Sequence, residues 1–145
     1  MMFTTPPIII NLVTTLISTT GCNKLFVPLA KGNEIKSLKG ITSIDYHCQN
    51  EILADSIQKE TGIKQINEDE QTGKTYDIVF SDLPFGLVKK GSPQAKIVQD
   101  SISAIAENGF AVFTFAEGIT IQKDSIKWIN ELSESGLFVS AIIVE

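Results

Sequence analysis

The chain has 145 residues, 43% of them hydrophobic and 20% charged, with a formal net charge of −5. That length and apolar content suit one globular domain with a single core. Every basic side chain apart from His47 is a lysine, so the chain offers neither a broad basic face nor the bidentate arginine-to-guanine contact, and sequence-specific binding to duplex DNA by this chain alone is not expected.

Thr4 or Thr5 ahead of Pro6-Pro7 reads as a helix start, a hydroxyl to cap followed by prolines where amides have no partner. Ile8, Ile9, Leu12, Val13, Leu16 and Ile17 follow at helical spacing. This apolar run ends in Gly21-Cys22, but it has no basic residue before it and Thr19 where a lipoprotein signal needs leucine. No segment is expected to span a membrane, and a cytoplasmic location is expected. Cys22, Cys48 and His47 are too few for a zinc site and read as reduced, metal-free residues.

Lys24 to Val27 reads as a short strand and Pro28 to Asn33 as the loop after it, with room for one or two helical turns before Gly40. Ile41 to Asp45 is a second strand ending in an acid, the position where nucleotide ribose hydroxyls are gripped in βα units. A helix carries Ile52, Leu53, Ser56 and Ile57 and closes at Thr61-Gly62. Ile63 to Ile66 reads as a third, edge strand, Asn67 to Glu70 as a solvated loop, and Gln71 to Thr75 as a turn.

The stretch YDIVFSDLPFG, Tyr76 to Gly86, organises the rest: a β-rich strand over Tyr76 to Ser81 breaks abruptly into Asp82-Leu83-Pro84-Phe85-Gly86. That places a polar-then-aromatic turn at a strand's carboxyl end, where open α/β sheets keep their chemistry. The group suits a planar ligand bearing an amine. Asp82 accepts from an exocyclic NH2, the Leu83 carbonyl accepts a second hydrogen, Pro84 stiffens the backbone and Phe85 stacks on the ring. Lys89 and Lys90 follow on a connection. Pro93 opens a helix with Ile97, Val98, Ser101, Ile102, Ile105 and Ala106 on one side; Asn108-Gly109 stops it, and Phe110 to Phe115 is the next strand. Asp124 caps a helix with Trp128, Ile129 and Leu132 inward, and Leu137 to Val144 is a last strand. Six strands alternating with helices predict a three-layer, doubly wound, mostly parallel α/β sheet over residues 1–145.

DLPF resembles the (Asp, Asn or Ser)-Pro-Pro-aromatic tetrapeptide of S-adenosylmethionine-dependent amino-methyltransferases, with Leu83 where the family has its first proline. FTTPPIII, IDYHCQNEILA and ENGFAVFTFAEGI resemble, within that group, the N6-adenine DNA methylases of the type I restriction-modification M-subunit kind. The resemblance implies a Rossmann-like methyltransferase fold lacking its last strand and S-adenosylmethionine as cofactor. It implies Asp82, Leu83, Pro84 and Phe85 as the residues orienting and stacking the target adenine. For the cofactor it implies Phe3 and Thr5 beside the methionine end, Pro28 and Gly32 in the loop after the first strand, Asp45 on the ribose and Asp69 on the adenine amine.

Here the chain departs from the family's Asp-Pro-Ala-Cys-Gly-Ser-Gly loop: Val27 stands at the leading acid and only Gly32 remains of the glycines, so the expected activity of the lone chain is weak or absent. DNA is then expected to be reached through a partner subunit or a recognition domain, and a protein partner is expected at the exposed sheet edge. Two further readings stand beside this one: a degenerate methyltransferase-fold binding module, and an RNA guanine amino-methyltransferase, in some of which DLPFG also occurs.

Overall fold

The computed structural model describes residues 5–38, 43–83, 90–114 and 123–134. Four strands form an all-parallel sheet in the order β2-β1-β3-β4: β1 is Lys24–Val27, β2 Ser43–Tyr46, β3 Tyr76–Asp82 and β4 Ile105–Thr114. Helices α1 (Pro7–Thr20), α2 (Asn33–Ser37), α3 (Glu51–Thr61), α4 (Glu68–Gln71), α5 (Pro93–Ile102) and α6 (Lys123–Glu134) complete an α/β architecture. The two central strands, β1 and β3, are buried on both faces, which is why they read as near-continuous apolar runs.

One face of the sheet presents Leu25, Val27, Ile78 and Phe80 to Ile9, Ile10, Val13 and Ile17 of α1, with Ile35 of α2 and Ile57 of α3 closing the same core. The other face presents Phe26, Tyr76 and Val79, while Leu83 joins Ala95 and Val98 of α5 and Trp128 of α6. Each large aliphatic side chain enclosed in this way contributes about 1.5–3 kcal/mol relative to exposure. The sheet is therefore fixed chiefly by packing from both sides.

Local chemistry sets the helix ends. Asn50 accepts from the amides of Ile52 and Leu53 to start α3, Ser92 accepts from Ala95 ahead of Pro93 to start α5, and left-handed Gly62 terminates α3. The expected threonine cap of α1 is replaced. Pro6 occupies the cap position with no side-chain bond, because the Thr5 hydroxyl is committed elsewhere. A capping box between Asn67 and Glu70 winds Glu68–Gln71 into one helical turn where a loop was expected.

Two strand expectations are corrected. Ile63 to Ile66 is not a strand, although it runs beside β2: the Ile66 amide donates to the Tyr46 carbonyl, and the Tyr46 hydroxyl to the Ile63 carbonyl. Asn108-Gly109 does not stop α5, which ends at Ile102. Both residues lie inside β4, where the pairing jumps from Tyr76–Ile105 to Ile78–Phe110. Asn108 adopts φ 65° at that irregularity. The expected last strand, Leu137 to Val144, lies outside the described residues.

Candidate functional site

The chain leaves β1 for β2 on one side and returns to β3 on the other, so the strand order reverses between β1 and β3. In open parallel sheets the crevice outside the carboxyl ends of two such strands is the place where ligands sit. The loop after β1, Pro28 to Gly32, and the end of β3 at Asp82 flank it.

Asp82 is the acid of this crevice. Its Oδ2 lies 2.7 Å from the Lys31 ammonium, and its Oδ1 accepts a hydrogen bond from the hydroxyl of Thr114, its register partner at the end of β4. Both members of the ion pair are largely shielded, with side-chain exposures of 19% for Lys31 and 16% for Asp82. Leu83 turns to the opposite face and packs with Ala95, Val98 and Trp128, while its amide donates to the Thr114 carbonyl. Leucine there supplies core volume.

The loop after β1 is organised by Glu34, an acid that sequence reasoning passed over. It is 1% exposed. Its Oε1 accepts from the amides of Lys31 at 2.6 Å and Gly32 at 3.0 Å, and its Oε2 accepts from the Thr5 hydroxyl at 2.9 Å. Asn33 adds a two-way clasp, accepting from the Thr5 amide and donating to the Thr5 carbonyl. Thr5 is thereby buried against the loop. An acid in the first turn after a glycine, able to fold back on the preceding amides, was the available signal for Glu34. Nothing local announced that Lys31 and Thr114 meet Asp82, because those contacts depend on strand order.

Gly32 sits at φ 108°, a conformation that side chains rarely adopt, and a Cβ placed there would stand 3.3 Å from Leu53 Cδ1. Its lack of a side chain serves packing against α3. Pro28 opens the loop and is half-buried. Beyond the strand ends, Ala30 and His47 continue the zip between the first two strands: Ala30 donates to the His47 carbonyl and His47 to that of Val27.

The structure does not bring the remaining acids to this crevice. Asp45 is level with Phe26, which is level in turn with Val79, so it shares their face of the sheet, whereas Asp82 projects from the other. The Asp45 carboxylate accepts from the Tyr76 hydroxyl at 2.8 Å and stands 3.5 Å from the Lys74 ammonium. Tyr76 stacks on Phe26, and burial first, then the hydrogen bond to Asp45 and its charge, push its phenol well above the ordinary value. Asp69 is exposed on α4. Phe3, Pro84 and Phe85 lie outside the described residues, as does Lys89; Lys90 is exposed. Burial raises the Cys48 thiol, which a backbone hydrogen bond with Asn50 opposes and the charge of Glu34 reinforces. No cluster of three potential metal ligands and no helix long and apolar enough to cross a membrane occurs among the described residues.

Comparison with known proteins returned no matching family model, no matching curated protein and no matching solved structure.

Proposed function

We propose that this chain is an amino-methyltransferase domain of Rossmann-like fold, of the S-adenosylmethionine-dependent kind that acts on adenine N6 in DNA, and that the lone chain does not carry out transfer. The observation that supports the reading is the position of Asp82: a partly shielded carboxylate at the switch point of a parallel sheet, with its oxygens turned to hydrogen donors. There Asp82 receives the hydrogens of an exocyclic amine and fixes the direction of its lone pair, which is a role of placement. With a net charge of −5 and no arginine, contact with DNA falls to a partner subunit or a recognition domain.

The residues as they stand do not fit S-adenosylmethionine. Glu34 already takes the loop amides of Lys31 and Gly32, the open side of Gly32 faces Leu53 and Ile57, and Asp45 is engaged by Tyr76 and Lys74 on the far face. These engaged groups favour a second reading, a methyltransferase-fold module that binds without transferring. Two measurements test the proposal. Methyl-labelled cofactor with adenine-containing DNA is expected to yield no transfer by the lone chain, and prompt transfer abolished by Asp82→Ala would overturn the inactive state. Millimolar deoxyadenosine is expected to move the amide NMR signals of Asp82 and Thr114; silence at both would leave the binding-module reading in its place.

A further inference from the structure

The loop after β1 carries Lys31, whose ammonium ends on Asp82 at the carboxyl end of β3. We infer that Lys31 is a built-in occupant of the amine seat at Asp82, displaced when a ligand amine takes its place. The inference deepens the function proposed above and rests on it for the identity of the displacing base.

Three features support it. The ion pair joins the loop after β1 to the end of β3 across the switch point of the sheet, with the Lys31 side chain only 19% exposed. A lysine ammonium is a compact donor of hydrogens, so the bond it makes to Asp82 Oδ2 at 2.7 Å is the bond a ligand amine would make. The backbone of Lys31 is meanwhile held by Glu34 through its amide. The pivot is therefore fixed while the four-carbon tail swings, and release of the seat leaves the loop, α2 and the Thr5 clasp intact. The lone chain then rests with its seat filled, and ligand affinity is lowered by the fraction of molecules in which Lys31 has swung away.

The test has two parts. In the wild-type chain, acetylation of Lys31 by acetic anhydride, followed by peptide mass spectrometry, is expected to lag well behind that of exposed Lys64 and to accelerate when deoxyadenosine is added. Acetylation of Lys31 as fast as Lys64 would overturn the inference and leave the proposed function standing. In Lys31→Met, shown to be folded by its circular dichroism melt, deoxyadenosine and methylammonium are each expected to bind about tenfold more tightly than in the wild type, and deoxyinosine, which lacks the amine, to gain nothing. An equal gain for deoxyinosine, or no gain for either amine, would overturn the inference. A gain for methylammonium alone upholds the amine seat and overturns the adenine reading of the function.

Discussion

Removing Glu34 is expected to unfasten the loop that shapes the crevice. In Glu34→Ala the amides of Lys31 and Gly32 lose their acceptor, and the Thr5 hydroxyl loses its own, all in a place where the side chain is 1% exposed. Leaving two buried amides unsatisfied costs about 1–3 kcal/mol each. Relief from keeping a carboxylate out of water offsets part of that sum. A net loss of about 3 kcal/mol is expected, which at a urea slope of about 2 kcal/mol/M lowers the midpoint by about 1.5 M. Glu34→Gln separates shape from charge: its amide oxygen still serves both backbone amides, and its NH2 turns to the Thr5 hydroxyl, which now accepts. That variant is expected to lose only about 1 kcal/mol. Urea denaturation followed by far-ultraviolet circular dichroism measures both. If Ala and Gln cost the same, or Ala less than about 0.5 kcal/mol, Glu34 is not what holds the loop.

Gly109→Ala is expected to destabilise by about 2 kcal/mol, because its Cβ would stand 2.9 Å from the carbonyl oxygens of both Ala106 and Asp77; a urea midpoint matching the wild type would show that the strand irregularity yields freely. Tyr76→Phe is expected to flatten the alkaline loss of stability. Below pH 10.0, the ordinary phenol value, Tyr76 is protonated folded and unfolded, and its contribution is complete. Above it the unfolded chain ionises while the folded phenol keeps its proton, so stability falls as pH rises, at about 1.4 kcal/mol per pH unit for one such group. Tyr46, raised by burial and then by Cys48, adds in the same direction and remains in the variant. Denaturant midpoints from pH 9 to 11 (roughly one unit either side of the phenol value) that fall equally steeply in both chains would contradict this account.

The strands that were legible in sequence are those whose pattern has one explanation. Lys24–Val27 and Tyr76–Asp82 are short, apolar, β-branched or aromatic, and bounded by turn residues, and both were found to within a residue. Ile105–Thr114 was misread at its start because Asn-Gly serves equally as a helix stop and as a strand irregularity. Only the pairing of Ile78 with Phe110, a long-range fact, decides between them. Ile63 to Ile66 had strand composition, but its bonds to β2 are shared between backbone and side chain, Gln65 Oε1 accepting from the Cys48 amide. Composition cannot distinguish that edge from a ladder.

At the site, sequence located Asp82 and the loop beginning at Pro28, because strand-then-turn patterns mark carboxyl ends. It did not show what those groups would touch. Val27 appeared there as the missing leading acid of a glycine-rich loop and Glu34 drew no reading, yet Val27, Lys31 and Glu34 each have a positive role. Val27 is 1% exposed in the core, Glu34 satisfies the loop's own amides, and Lys31 neutralises the crevice acid. Glu34 and Lys31 are coupled by geometry. Once an acid folds back onto the loop amides, no ligand is needed to satisfy them, and the lysine amide fixed by that acid places its ammonium within reach of Asp82. A loop that admits a ligand leaves its amides open and keeps the opposite acid unpaired. Glu34 and Lys31 together satisfy both, and of the two only Lys31, whose ammonium ends a flexible tail while its amide is held by Glu34, would have to move for an amine to reach Asp82.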